Sequence, residues 1–340
     1  MSAALDWIAA VAAIFMLVAV VLAPWLAQTG QPRKSETAAA GATDGTAAAG
    51  PPAGTETVVS GYVGAPYYYR SNIEIKRPDG TDLELKRLGW DGDALYFPID
   101  GGLRAVRWSG ATGLMVDFLH NKAIARLGKG AHGRKITNGV VEDVETAGTL
   151  KGQPAPSPLR LTDLFDRLEF THGHNVLLLT GLARLAPLTP HVRPYLGLGA
   201  GVAVPHVEVW FKGEDSKGKT NEYQYAGPAA QAVAGLELRI GRGSFFVEYK
   251  FVWASLNGAL TGDHSWSLKD LGTRALLPRW LLEPFSGLME MPGDLRRQLA
   301  RWWSGAADKD DGSFTTSLAA HQVVVGAGYV WPGTAPAAPR

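Results

Sequence analysis

From Val58 to Trp331 the chain repeatedly alternates apolar side chains with polar or small ones, the period of a half-buried strand. The alternation predicts strands near Val58–Tyr69, Pro98–Trp108, Gly113–Asn121, Leu168–Leu182, Val192–Trp210, Glu222–Ile240, Ser244–Leu256 and Phe314–Trp331. In the sixth, Ala230, Ala232, Ala234, Leu236, Leu238 and Ile240 share one face, and Gln231, Gly235, Glu237 and Arg239 the other. In the seventh, Phe245, Val247, Tyr249, Phe251 and Trp253 stand against Ser244, Glu248 and Lys250. In the eighth, Val323, Val325, Ala327, Tyr329 and Trp331 oppose Gly326 and Gly328. One apolar face, one small or polar face and aromatics at strand ends fit a membrane barrel. A soluble sandwich also has one apolar face, so the connections must discriminate.

Ser109-Gly110-Ala111-Thr112, Ala186–Pro190 and Gly241-Arg242-Gly243 are tight turns, whereas 70–97, 122–167, 211–221 and 257–313 are long. This short/long alternation predicts an all-β fold, an eight-stranded antiparallel transmembrane β-barrel with short periplasmic turns and long extracellular loops. The barrel spans 56–331, with a partly helical insert at 262–313 before the last strand. A barrel of that size is filled by its own side chains, so a pore is not expected; Glu248 and Lys250 share its inward face and read as an interior ion pair.

Trp7 to Ala27 is uncharged and long enough to span a bilayer as a helix. Residues 1–28 are read as a signal peptide or a membrane anchor: only Asp6 is charged just before the run, and Pro24 with small residues near Ala27 permits cleavage. Either reading takes the chain out of the cytoplasm or ties it to a membrane. The Ala/Gly/Pro tract at 29–55 has too little apolar surface to fold and reads as a disordered linker, and 332–340 as a tail. A net charge of +1 provides no global field for nucleic acid, which is not an expected partner. The absence of cysteine excludes disulfides, thiolate metal sites and Cys nucleophiles. A monomer is expected.

Two related segments carry candidate chemistry: Asp117-Phe118-Leu119-His120-Asn121-Lys122 and Glu169-Phe170-Thr171-His172-Gly173-His174-Asn175, each with a carboxylate three residues before a histidine. With the N-terminus periplasmic, both lie at the outer rim of neighbouring strands, as do Pro205-His206-Val207-Glu208 and Glu222-Tyr223-Gln224-Tyr225. His172 and His174, two apart, would share a strand face, which suits chelation. His172, His174 and His206 are therefore candidate metal ligands, and His120, His172, His174 and Glu208 candidate catalytic groups. Lys122, Asn175, Glu222 and Tyr223 are candidate substrate contacts, joined by Arg296 and Arg297 of the insert, where Arg interleaves with Trp and Leu as at a lipid interface. Rim polarity explains the same histidines without chemistry, and a helical pair over the barrel mouth explains the insert. Strict alternation points His206 with Val202 and Val204 toward lipid, and raises the same difficulty for His172 beside Phe170. A site there needs a bulge, for which Pro205 offers a place, or strands that rise above the lipid. Two histidines and a carboxylate with open positions are the pattern for iron and O₂, so a divalent metal is a candidate helper. No strand–GxGxxG–helix fingerprint occurs, and neither flavin nor nicotinamide is expected.

Gly61-Tyr62-Val63-Gly64, Asp117–Lys122, Phe170–Asn175, Pro205–Glu208, Glu222–Pro228 and Glu248-Tyr249-Lys250 together resemble segments of the outer-membrane lipid A oxidases. The resemblance runs from about Ser60 to Lys250 and includes the last strand. It implies oxidation of the proximal glucosamine of 1-dephosphorylated lipid A to aminogluconate, with O₂ as co-substrate and hydrogen peroxide as product. It further implies the outer membrane of a Gram-negative bacterium as the location and lipopolysaccharide as the partner. Two other readings stay open. A lipid A acyl-chain hydrolase would show a His-x-Ser-Asn motif, where this chain has His172-Gly173-His174-Asn175. A non-enzymatic structural barrel would need no site at all.

Overall fold

The computed structural model describes residues 54–214, 218–260, 292–296, 298 and 312–333. The apolar segment at 7–27, nearly all of the linker, Arg297, most of the 262–313 insert and residues 334–340 of the tail lie outside the described residues. Among the described residues no helix is long and apolar enough to cross a membrane.

The chain is mostly antiparallel strand. In order these are β1 (Thr55–Tyr68), β2 (Ser71–Arg77), β3 (Thr81–Leu88), β4 (Trp90–Asp91), β5 (Gly101–Ser109), β6 (Thr112–Ala125), β7 (Asp143–Leu150) and β8 (Gln153–Pro154). There follow β9 (Leu159–Arg160), β10 (Phe165–Arg184), β11 (Val192–Ala203), β12 (His206–Phe211), β13 (Thr220–Tyr223), β14 (Gly227–Ile240), β15 (Gly243–Ala259) and β16 (Ser313–Pro332). The pairing path β1–β5–β6–β10–β11–β14–β15–β16 returns to β1, where Val59 faces Tyr329 and Tyr67 faces His321. A ring of strands that closes on itself has no open edge and resembles a barrel. The connections 110–111, 185–191 and 241–242 sit at one end, and all the additional strands at the other.

Contacts between strands that are not neighbours in the ring identify its inside. Tyr62 of β1 donates to Asp117 of β6 at 2.7 Å, and Lys250 of β15 reaches the same carboxylate. Arg104 of β5 and Tyr195 of β11 both donate to Glu248 Oε2, at 2.7 and 2.6 Å. Nearer the tight turns, Glu56 of β1 accepts from Arg184 of β10 at 2.5 Å and Arg239 of β14 at 2.8 Å. Charges taken this far from water are tolerable only when paired and hydrogen-bonded, as these are. The ring is filled, not hollow.

The other face of the same strands is apolar and exposed. Leu103 and Leu198 are 65% and 74% exposed, and Val59, Leu114, Val116, Leu177, Leu179, Leu196 and Leu236 continue the band. Each such side chain left in water forgoes about 1.5–3 kcal/mol of burial. Aromatics flank the band: Tyr329 and Trp331 toward the tight turns, and Tyr67, Tyr69 and Trp253 toward the other end.

Above the ring the walls continue as two facing sheets. On one side β16 pairs β2, β2 pairs β3 and β3 pairs β7; on the other β6 pairs β4, β10 pairs β12 and β12 pairs β13. Ile73, Ile75, Leu83 and Leu85 meet Phe165, Leu168, Phe170, Val207 and Val209 in one core, with Phe170 stacked between Trp90 and Phe314. The strands expected at 192–210 and 222–240 are each broken here. Pro205 has no N–H to donate to a ladder. The chain therefore leaves β11 at Ala203 and resumes as β12, which keeps β10 as one neighbour and has β13 instead of β14 as the other.

Candidate functional site

Strand β10 positions the site. In the ring its side chains alternate, with Val176, Leu178 and Thr180 buried inside and Leu177 and Leu179 exposed outside. Phe170 faces Ala123 of β6, yet His174 faces Asn121, so four steps on β10 match two on β6. This bulge centres on Gly173, whose φ of +123° side-chain-bearing residues rarely adopt. A Cβ there would come within 2.1 Å of Asn175 Oδ1. The bulge separates the two histidines. His174 turns into the ring, where its Nδ1 lies 3.5 Å from the Tyr68 hydroxyl of β1, a strand that β10 does not pair. His172 joins the row on the outward side, with Arg167, Glu169 and Thr171.

Glu208 of β12 is the centre of that row and is fully buried. Its Oε1 accepts from His172 Nδ1 at 2.8 Å and Thr171 Oγ1 at 2.9 Å, its Oε2 accepts from Arg167, and His206 Nδ1 lies 3.3 Å from Oε1. His132 comes from the short 3-10 turn Ala131–Gly133 in the long connection after β6. It sits at φ 57°, a left-handed conformation that is uncommon without glycine, and Arg167 donates to its carbonyl at 2.8 Å. Asp93 holds the turn by accepting from the Ala131 N–H at 3.1 Å and from Arg134 at 2.7 Å. The rings of His132, His172 and His206 stack edge to face, 4.4 and 4.6 Å between centroids, and Tyr223 closes the row 4.7 Å from His206. Tyr223 also donates its hydroxyl to the His172 carbonyl at 2.8 Å.

The electrostatics follow from burial. Burial alone would raise Glu208, but hydrogen bonds and charge from His172 and His206 hold it well below 4.5, so it is ionised. Burial, then the charge of Glu208, pushes Glu169 up to about 8. Thr171 gives the stereochemical counterpart: its single hydroxyl hydrogen cannot serve both Glu208 and Glu169, 3.1 Å away, so a proton on Glu169 completes the chain. Burial lowers His132 to about 4, with the neighbouring His172 adding to the effect, and its imidazole is neutral.

The sign of one pH effect is then fixed. Glu169 binds a proton more tightly folded than unfolded, so its contribution to stability is complete below about 4.5 and is lost as pH rises toward about 8. Glu169→Gln, a mimic of the protonated form, is expected to remove that decline, read as the difference in urea midpoint between variant and wild type across the window. Parallel pH profiles for the two proteins would contradict the assignment.

The structure brings together His172, His206, Glu208 and Tyr223 of the residues singled out in the sequence. His120 is adjacent, bonded through Nδ1 to Asn175 Oδ1 at 2.9 Å, and both are buried. Lys122 is fully buried against Asp100 (2.5 Å) and the Pro98 carbonyl. It anchors the 92–100 loop and is not open to a ligand, which corrects its reading, and that of Asn175, as substrate contacts. His174 is corrected as a partner of His172 because the bulge turns it inside. Glu222 is corrected too: it alternates with Tyr223, faces the core side of β13, and takes a hydrogen bond from Gln224. Arg296 is exposed in the helical segment 292–296, which meets β13 through Asp294, acceptor of the Tyr223 N–H at 2.8 Å. His132, Arg167, Glu169 and Thr171 complete the site and were not among the expected site residues. Arg167, Glu169 and Thr171 share one parity on a single strand, a signal the sequence did carry.

No protein-family model matches the chain, and no curated protein matches it. Among solved structures it is similar to a chain described as the CymD monoaromatic hydrocarbon channel, at 8% identity over 82% of this chain and 88% of that one, with a TM-score of 0.17. A score that low carries no argument about fold or function.

Proposed function

We propose that the chain is an outer-membrane β-barrel enzyme that oxidises the proximal glucosamine of 1-dephosphorylated lipid A to aminogluconate, using O₂ and releasing hydrogen peroxide. The observation that carries this reading is the order of side chains up the outward wall of β10. Leu179 and Leu177 are exposed apolar groups; Asn175 follows, and then His172, Thr171, Glu169 and Arg167. An exposed apolar band edged by aromatics is what a bilayer covers. A polar cluster directly above it, on the outside of the wall, stands at head-group height. A membrane lipid meets such a site sideways, without passing through the filled ring.

Strand parity supports this reading. His206 keeps the outward parity of Val202 and Val204, and its strand rises above the band on β12. Lipid A carries its sugars at that height in the outer leaflet. In the reaction the C1–H and anomeric O–H bonds break, two electrons and two protons reduce O₂ to H₂O₂, and a lactone remains. Water then opens the lactone to the acid. The Glu169–Thr171–Glu208 chain holds one proton between two carboxyl groups and so fixes the ionised Glu208 carboxylate in place. Arg167, bound to Glu208 and to the His132 carbonyl, keeps the mouth in shape. His132 and His172 are its partly exposed members.

The test is expression in an outer membrane whose lipid A lacks the 1-phosphate, followed by lipid A mass spectrometry. A product heavier by one oxygen atom, formed in air and not under anaerobic conditions, is the expected result. Loss of an acyl chain would replace the reading with hydrolysis, and unchanged lipid A would remove the enzymatic reading.

A further inference from the structure

We propose that His132, His172 and Glu208 bind one divalent transition-metal ion, with His206 beside them. This rests on the cluster alone and not on the lipid A reading. One potential ligand atom from each of the three lies within 4.8 Å of the others. They come from three separate segments: a turn in the connection after β6, the bulge of β10, and β12. Hydrophobic packing does not require such a convergence, because the core lies on the opposite face of the same strands, where Val207 and Val209 point. The 2.8 Å His172–Glu208 contact already holds one donor pair together.

The donor chemistry narrows the class of ion. Imidazole nitrogens with one carboxylate and no sulfur suit Zn²⁺, Fe²⁺, Co²⁺ or Mn²⁺, and fit poorly with Ca²⁺ or Mg²⁺, which prefer all-oxygen sets. The supporting contacts are those of a ligand set held in place. Thr171 and Arg167 fix the Glu208 carboxylate, and Arg167 also fixes the His132 backbone in its left-handed conformation. Glu208 is fully buried whereas His132 and His172 are only partly so. Three protein ligands with one open side are the arrangement of a catalytic rather than a closed structural metal site.

Co²⁺ is the probe. The full chain, refolded in detergent and stripped with chelator, is titrated with Co²⁺ alone, read by visible d–d absorption and by metal content after dialysis. One saturable Co²⁺ per chain is expected. His132→Ala, a change in an external turn, should weaken it at least about 10–100-fold, the scale of losses at metal-site partners. His174→Ala, inside the ring, should leave binding unchanged. The absence of saturable binding, equal affinity in His132→Ala, or loss with His174→Ala would each overturn the proposal. Heat-dependent gel mobility confirms that each variant has folded, and a His132→Ala chain that failed this check would be replaced by Glu208→Gln, judged by the same outcomes.

Discussion

Asp117→Ala is expected to destabilise the ring by about 3–5 kcal/mol, the cost of removing one partner from a buried ion pair. Asp117 is fully buried and accepts from Tyr62 at 2.7 Å, from Lys250, and from Gln231 at 3.3 Å. The surrounding cations are Lys250 and Arg104, and the only other carboxylate in the group is Glu248, 3.2 Å from Lys250 and 2.7 Å from Arg104. Removing Asp117 leaves two buried cations facing one anion. Asp117→Leu combined with Lys250→Met deletes both charges and is expected to recover much of the loss, because apolar replacements of a buried pair are often neutral. Urea unfolding of protein refolded in lipid vesicles, followed by Trp fluorescence, measures both. A single variant within about 1 kcal/mol of wild type, the scale of an exposed pair, would show that the interior is wet rather than filled.

Glu208→Gln is expected to reduce lipid A oxidation by about 10²–10³-fold, the scale seen when one fixed electrostatic contact in an active site is lost. Glutamine keeps the shape but places an amide where Arg167, His172 and Thr171 all donate. At least one of those donors must then turn away. The barrel should be unaffected, since β12 pairs with β10 and β13 above the ring and takes no part in its closure. His174→Ala separates this site from its sequence neighbour: with its side chain in the ring beside Tyr68, its loss should cost far less activity than the loss of Glu208. Equal losses in both variants would return His174 to the site.

The ring was legible in the sequence because its two faces differ so sharply. In β15, Phe245, Val247, Tyr249, Phe251 and Trp253 face out while Ser244, Glu248 and Lys250 face in, as alternation alone requires. The sheets above the ring were less legible. SNIEIKR and TDLELKRL alternate around Pro78-Asp79-Gly80 and form the β2–β3 hairpin, yet both fell within the long connection expected at 70–97. Their apolar halves, Ile73, Ile75, Leu83 and Leu85, find the core only through the opposite sheet. In the site, His172, His206 and Glu208 were visible as rim residues. His174 was misplaced because two extra residues at Gly173 break the rule that positions two apart share a face. His132 was invisible for another reason: it arrives from a glycine-flanked turn 40 residues upstream of its partner His172, placed by Asp93 and Arg167 rather than by any periodic pattern.

The outward-facing cluster as the seat of a lipid A oxidase is tested most directly by one comparison. Lipid A is extracted in air from membranes carrying equal amounts of folded wild-type or Glu208→Gln protein, and weighed. The expected result is a species heavier by one oxygen atom from the wild type and unmodified lipid A from the variant. Identical spectra from the two, whether both modified or both unmodified, would contradict it.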